Sequence, residues 1–404
     1  MKTKLPISTA AWALLIVAIL FYCYEFFLRL YPSLIIPRLM QHYHVQATGI
    51  GSLAAAYYLG YTLMQLPAGF FLDRFRTQKI LLASISLCVL SASLFLLSHQ
   101  LAIGLIMRFV MGLGSAFAFI AVLSIAKRHF PDSWFTTVCG ITIGLGTLSG
   151  AMGETVTACL IKHWDWQFTL LAFTVTGLAM VLALLFVRQE PAPPPTNSSY
   201  RWHDIKPALC HRRLWLNGLV GGLCYLPTSI FAGVWGINFM VNQYHMSKVS
   251  ASALITLLFV GWVIGSPIMG FLVDKFSHEK PTLMIMASLA AACAAFFVWL
   301  PAVAQTHLSW FIFCFGFFSS AQVIIWRIYN HHIQVAQAGF GIALTNMMVI
   351  AVASAGQMFV GILMDIHHHG FSMHYDLSHY HLALSLLPGA FILAAILTGL
   401  SHDR

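Results

Sequence analysis

The stretch GFFLDRF (residues 69–75) returns almost unchanged as GFLVDKF (residues 270–276). In a chain of 404 residues, the second copy follows the first by about half the chain length, so the chain consists of two related halves. Each copy is a short charged segment between two long apolar runs. Matching loops at matching places in a duplicated apolar chain are typical of secondary transporters.

The composition excludes a soluble domain and predicts a membrane protein. Hydrophobic residues make up 59% of the chain and charged residues only 8%, whereas soluble domains carry about 25% charged residues. A membrane-spanning helix needs about 20 apolar residues. The twelve runs of this kind, numbered here as spans one to twelve, are 10–36, 47–72, 79–98, 102–126, 135–161, 167–187, 214–241, 250–273, 281–300, 308–328, 338–365 and 381–400.

These spans predict the domain organisation. We expect an all-α membrane protein with twelve transmembrane helices in two pseudo-symmetric six-helix bundles. The bundles are residues 1–187 and 214–404, and a cytoplasmic linker at 188–213 joins them, since that segment is the longest polar stretch and opens with a proline-rich sequence.

The net charge of +9 predicts orientation in the membrane and needs no nucleic-acid partner. If the N-terminus lies in the cytoplasm, sixteen of the 21 lysines and arginines fall on the cytoplasmic side. Basic residues concentrate on the cytoplasmic side of membrane proteins. We therefore expect a multi-pass protein of the inner (plasma) membrane with both termini in the cytoplasm.

Both copies of the opening stretch resemble the signature loop of the major facilitator superfamily. The resemblance rests on one glycine, one aspartate and one basic residue in each copy, namely Gly69, Asp73, Arg74, Gly270, Asp274 and Lys275. In that family the loop ties the two halves together on the cytoplasmic face while the carrier is open outward. The resemblance therefore gives these residues a conformational role. One departure is Arg76, which stands where the family usually has glycine.

Other segments extend the resemblance over the whole chain. Span four resembles the family's intramembrane arginine motif around Arg108, and residues 164–168 resemble the tryptophan-rich start of its sixth span. Span five lacks the Gly-Pro pair typical of the family's antiporters, which favours uptake or symport. Residues 24–33 look like a bacterial subgroup distantly similar to organic-anion symporters and to a lysosomal dipeptide carrier.

Four ionisable side chains lie well inside the spans: Glu25, Arg29, Arg108 and Glu154. Each costs about 2.5–3.5 kcal/mol near the middle of the bilayer, so we expect all four to face the protein interior. Two hypotheses follow. Either a glutamate carries the coupled proton while an arginine binds a substrate anion, or the four residues form two structural ion pairs.

The second half offers neutral polar residues instead. Gln357 stands in span eleven where Glu154 stands in span five. Candidate pathway residues beside the charges are Tyr57, Tyr61, Gln322, Asn346 and Gln357. Tyr58 in span two and the second-half residues Asn217, Tyr225, Asn238 and Trp262 are further polar positions. Taken singly, each second-half residue is more typical of a helix–helix contact than of a ligand, whereas at least one of the three tyrosines should face the cavity. Pro227 predicts a bend or break in span seven.

The sequence predicts no metal site and no cofactor. Six histidines lie between His367 and His381, where they could bind a metal, sense pH or belong to a solvated loop. The eight cysteines lie mostly inside spans and form no Cys-x-x-Cys pair, so neither a disulfide framework nor a zinc site is indicated.

The leading functional hypothesis is a proton-coupled symporter that works by alternating access. Its partners would be protons and a small charged or zwitterionic solute, such as an organic anion, an amino acid or a short peptide, and it would work as a monomer in the bilayer. One alternative is a proton-antiport exporter of a drug or siderophore-like compound, and another is a transporter-like solute sensor. We expect no enzymatic activity, because no nucleophile–base set or phosphate-binding loop is present.

Overall fold

The computed structural model describes residues 8–130, 132–187, 212–276, 278–300, 307–325, 338–366 and 375–400. Within these ranges the regular structure is helical throughout, which confirms the all-α prediction. Residues 188–211 of the predicted linker and residues 367–374 of the histidine-rich segment lie outside the described residues.

The helices follow the predicted spans closely. In the first half they are Thr9–Leu30 with Ile36–Tyr43 (span one), Ala47–Arg74 (span two), Thr77–Leu97 (span three), Leu101–Ser115 with Phe117–His129 (span four), Asp132–His163 (span five) and Trp166–Phe186 (span six). In the second half they are Arg212–Leu226 with Gly236–Tyr244 (span seven), Lys248–Phe276 (span eight), Glu279–Trp299 (span nine), Leu308–Ser319 (span ten), Ala338–Asp365 (span eleven) and Leu377–Leu384 with Leu386–Leu400 (span twelve). Among the described residues, nine helices are long and apolar enough to cross a membrane, which is consistent with the predicted twelve.

The first span of each half is interrupted. In span one a 3-10 turn at Tyr31–Ile35 follows the first helix and contains Pro32. In span seven the helix widens into a π-helical stretch at Pro227–Trp235, at the place where the sequence predicts a bend. Proline removes a helical N–H donor, and π-helical turns are frequent at functional sites. Discontinuous helices near the middle of the membrane are where many transporters bind their substrates.

Glycines let equivalent spans cross closely in both halves. A Cβ atom on Gly112 of span four would collide with the backbone oxygen of Tyr57 in span two. A Cβ atom on Gly316 of span ten would collide in the same way with the backbone oxygen of Leu258 in span eight. The duplication read from the motif loops therefore extends to how the helices pack.

The halves contact each other through spans two and eleven and through spans five and eight. Spans two and eleven meet at the face that the basic residues predict to be extracytoplasmic, called the outer face below. There a Cβ atom on Gly361 would lie 2.7 Å from the backbone oxygen of Ala47. Ser354 Oγ donates a hydrogen bond of 2.9 Å across the boundary to the carbonyl of Ala55.

Candidate functional site

A buried ion pair lies in span one. Arg29 Nη2 donates to both carboxylate oxygens of Glu25, at 2.7 and 2.8 Å. The pair is possible because the two residues are four apart and share one helix face. Glu25 is fully buried and Arg29 is 7% exposed. Tyr57 of span two donates its hydroxyl to Glu25 Oε2 at 2.9 Å. Three predicted pathway residues therefore meet at one place.

Arg29 keeps unused capacity for hydrogen bonding. Its Cζ lies 4.9–6.0 Å from the centroids of four aromatic rings, those of Phe26, Tyr57, Tyr58 and Tyr61. Such rings stabilise a buried guanidinium through cation–π interactions. Nη1 reaches the hydroxyl of Tyr225 in the second half at 3.3 Å. Nε has no partner among the described residues. A guanidinium carries five N–H donors, so Arg29 can bind a further acceptor.

Arg108 binds backbone oxygens of two neighbouring spans. In an uninterrupted helix the N–H of residue 32 would bond to the carbonyl of Leu28, but proline has no N–H. Arg108 Nη1 replaces that donor, at 2.6 Å from the Leu28 oxygen. Its Nε donates to the Leu53 oxygen of span two at 3.2 Å. These contacts favour a structural role for Arg108, which ties the broken span one to span two.

This account predicts a rescue experiment. Arg108→Leu should strongly lower the melting temperature of the purified protein, because each buried carbonyl left unpaired costs about 1–3 kcal/mol. Pro32→Ala in the same background returns an N–H to the chain and should recover part of the loss. Thermal unfolding of the single and double variants measures both effects. If Pro32→Ala recovers nothing, the Leu28 carbonyl is not the reason why Arg108 is needed.

Two glutamines of the second half donate hydrogen bonds to backbone oxygens of span seven. Gln357 Nε2 donates to the backbone oxygen of Ser229, within the π-helical stretch, at 2.9 Å. Gln322 Nε2 donates to the backbone oxygen of Gly221 at 3.1 Å. Asn346 lies in span eleven and is partly buried. These contacts link spans ten and eleven to the interrupted span.

The motif-loop glycines lie in open space. A Cβ atom on Gly69 or on Gly270 would meet no heavy atom within 4 Å. Arg74 and Lys275 each lie over the phenylalanine four residues earlier, at 5.4 and 5.8 Å from the ring centroid. The side chains of three predicted residues, Asp73, Asp274 and Glu154, lie outside the described ones.

At the outer face, a carboxylate at the end of span eleven caps the start of span two. Asp365 accepts hydrogen bonds from the backbone N–H groups of Ala47 (3.2 Å) and Thr48 (2.7 Å). Tyr375 donates its hydroxyl to the same carboxylate at 2.7 Å. The first N–H groups of a helix lack internal partners and attract negative charge. We call these four residues the outer latch.

A second set of contacts closes the outer face beside span one. Pro37 cannot donate to the carbonyl of Ser33, four residues earlier. Asn238 of span seven takes its place, with Nδ2 at 3.1 Å from that oxygen. Lys248 Nζ lies 3.4 Å from the neighbouring oxygen of Leu34. The two halves are therefore bonded to each other at the outer face, while the loop glycines at the opposite face are uncrowded.

The described residues contain no group of three or more histidine, cysteine, aspartate or glutamate side chains that could hold a metal ion. Around Glu25 and Arg29, the described side chains form an ion pair, hydrogen bonds and cation–π contacts. Bidentate pairing of a guanidinium with a carboxylate is among the strongest of these interactions. The arrangement can therefore bind an organic anion at Arg29.

Comparison with known proteins gives a match to one family and several related sequences. The sequence profile of the Major Facilitator Superfamily matches residues 13–357. The uncharacterized transporter YybO of Bacillus subtilis (strain 168) is 28% identical over 278 residues, which cover 62% of this chain and 62% of YybO. The chloramphenicol resistance protein CraA of Acinetobacter baumannii is 22% identical over 270 residues, covering 65% of this chain and 64% of CraA. The chain thus spans less than two thirds of either relative.

A solved structure shows the same fold. The structure is of a bacterial homologue of the human lysosomal transporter Spinster, in an inward-facing and unoccupied conformation. The TM-score is 0.76 at 13% sequence identity, and the alignment covers 97% of this chain and 95% of the other.

Proposed function

The chain belongs to the major facilitator superfamily, and from this premise we propose that it moves a small charged or zwitterionic organic solute across the inner membrane by proton-coupled symport. It is a membrane transporter and not an enzyme. The observation that carries the proposal is the buried Glu25–Arg29 pair, which Tyr225 of the other half contacts. A substrate bound to this pair acts on both halves at once, as alternating access requires.

Charge balance gives the coupling mechanism. In the empty site the carboxylate of Glu25 neutralises Arg29. We propose that a substrate carboxylate replaces the carboxylate of Glu25 as the ion-pair partner of Arg29, and that Glu25 then accepts a proton. The loaded site is again neutral. Substrate without proton, or proton without substrate, leaves one unbalanced buried charge, which costs several kcal/mol. Only the empty and the doubly loaded carrier then change conformation readily, so one proton accompanies each monoanion.

Alternating access would use the contacts at the two faces in turn. In the described state the outer latch is closed and the motif loops have room around their glycines. We propose that the outer latch opens as the motif loops close against the opposite half. The distribution of the basic residues supports a cytoplasmic location for the loops and both termini. Labelling of a terminal cysteine by an impermeant reagent in intact cells would contradict this orientation.

Gly69→Ala tests the role of the motif loop. We expect the melting temperature of the purified protein to stay the same, because the added methyl group meets no atom in this state. Transport should fall several-fold if the glycine is needed for close contact in the outward-open state. The matched control is Gly112→Ala, whose methyl group collides with span two and should lower the melting temperature. Full transport activity in Gly69→Ala would remove the loop from the mechanism.

A thermal-shift screen tests the proposed function. The purified protein is screened against organic acids, amino acids and dipeptides at mildly acidic and neutral pH, and hits are repeated with Arg29→Gln. A ligand stabilises the native state by mass action, so a carboxylate should raise the melting temperature of the wild type but not of Arg29→Gln. Ligands that still stabilise Arg29→Gln would show that the binding site does not include Arg29.

Two other functions give different outcomes. CraA is named for chloramphenicol resistance, which makes chloramphenicol the compound to test for the exporter alternative. Stabilisation by chloramphenicol, with no response to any carboxylate, would favour the exporter. A solute sensor would bind a carboxylate at Arg29 but would not accumulate it in proteoliposomes with an imposed proton gradient. Accumulation there, with the protein reconstituted as a monomer, is the result that our proposal predicts.

A further inference from the structure

Gln357 presents a buried oxygen that has no hydrogen-bond donor. The residue is 1% exposed, and its Oε1 has no partner among the described residues. The orientation of the amide is fixed by its neighbour. The backbone oxygen of Ser229, 2.9 Å from Nε2, can only accept, so the nitrogen must face it. Buried polar atoms are nearly always paired, and an unpaired acceptor is a site where a donor is missing.

This oxygen belongs to the neighbourhood of Arg29. Ser229 lies one helical turn beyond Tyr225, whose hydroxyl lies 3.3 Å from Arg29 Nη1. On the other side, a Cβ atom on Gly233 would lie 3.5 Å from Leu30 Cδ2 and 3.8 Å from Gln357 Nε2. Gly233 thus lies close both to the amide and to Leu30, the residue that follows Arg29. Both groups contact one turn of span seven, which rises about 5.4 Å, and this shared turn is the basis for placing one small molecule against both.

We propose that Gln357 Oε1 accepts a hydrogen bond from a hydroxyl or N–H group of the substrate, whose carboxylate pairs with Arg29. The inference rests on the proposed function and narrows its substrate class to carboxylates that carry a donor close to the acid group, with 2-hydroxy acids as the simplest members. An amide suits this task because its oxygen accepts a hydrogen bond from such a donor without adding a charge to the neutral Glu25–Arg29 pair. The first half has an acid, Glu154, at the equivalent position of span five.

Matched pairs of ligands test the inference on the full-length protein. Lactate is compared with propionate, and 3-phenyllactate with 3-phenylpropionate, by isothermal titration calorimetry. A site built to hydrogen-bond a substrate donor discriminates strongly against the analogue that lacks it. We expect the hydroxy acid of at least one pair to bind about tenfold or more tightly to the wild type. The preference should disappear in Gln357→Leu, with the Kd of the plain acid little changed.

Gln322→Leu is the matched control. It removes the same kind of amide bond to a span-seven carbonyl, but the Gln322 oxygen is not among the buried unpaired atoms of the described residues, so the preference should survive. Gln357→Met keeps the side-chain length and replaces Gln357→Leu if that variant does not fold. The inference would be overturned if the wild type bound both members of each pair equally, or if the preference persisted in Gln357→Leu. In either case, carboxylate binding that depends on Arg29 would still support the proposed function. Binding of no carboxylate, or binding unaffected by Arg29→Gln, would contradict the proposed function and the inference with it.

Discussion

Replacing Glu25 by Gln is expected to abolish proton-driven accumulation of the bound carboxylate while leaving the exchange of labelled for unlabelled carboxylate intact. In this variant Arg29 loses its counter-ion whenever the site is empty. An unpaired buried charge costs about 3–5 kcal/mol, which corresponds to a factor of about 10² to 4 × 10³ in the population of the reorienting empty carrier. The loaded carrier stays neutral, because the substrate carboxylate balances Arg29. Net uptake requires the empty carrier to return, whereas exchange does not.

Reconstituted vesicles measure both activities of Glu25→Gln side by side. The control is Glu279→Gln, an equally small change at the start of span nine, which should leave both activities intact. Accumulation close to the wild-type level in Glu25→Gln would show that another group carries the proton. Loss of exchange together with accumulation, in a protein of normal melting temperature, would show that Glu25 is needed for binding itself.

Asp365→Ala is expected to shift the carrier towards the outward-open state by about tenfold or more. The variant removes the two hydrogen bonds from the start of span two to Asp365 and the bond from Tyr375 to the same carboxylate, whereas the bond of 2.7 Å from the Ala47 N–H to the Tyr375 hydroxyl remains. Loss of a helix-capping side chain alone costs about 0.5–2 kcal/mol, and 1.4 kcal/mol is a tenfold change in a two-state equilibrium. The two bonds from span two connect the halves, so their loss destabilises the closed outer face.

A cysteine at Ser354 reports the shift, since this residue is buried where the halves meet. In a background without the native cysteines, an impermeant maleimide should label Ser354→Cys from outside faster when Asp365→Ala is present. Asp165→Ala is the matched control, because Asp165 caps span six and pairs with Arg38 within the same half. Equal labelling rates in Asp365→Ala and the unmodified background would show that the outer latch does not hold the face closed.

Much of the geometry around Glu25 and Arg29 can be predicted from the sequence, because its strongest signals are local. Glu25 and Arg29 are four residues apart, so helical geometry alone places them on one face. Pro227 predicts the break in span seven, which the structure realises as the π-helical stretch. The duplicated loops predict two related halves, and the glycine crossings at Gly112 and Gly316 repeat that relation in three dimensions.

The partners of the buried groups were harder to predict, because they come from distant spans. The sequence hypotheses for Arg108 were substrate binding or pairing with an acid, whereas the structure pairs it with the carbonyl that Pro32 leaves free. The proline four residues after Leu28 was the available signal. Nothing in the neighbourhood of Asp365 indicates that its partners lie at the start of span two. Such contacts depend on how the two halves face each other.

Proton uptake on ligand binding tests the central claim, that Glu25 and a substrate carboxylate exchange at Arg29. The measurement is isothermal titration calorimetry of a stabilising carboxylate in buffers with different ionisation enthalpies at neutral pH. The account predicts that binding takes up about one proton in the wild type and about none in Glu25→Gln. Carboxylate binding without proton uptake in the wild type, or uptake unchanged in Glu25→Gln, would contradict it.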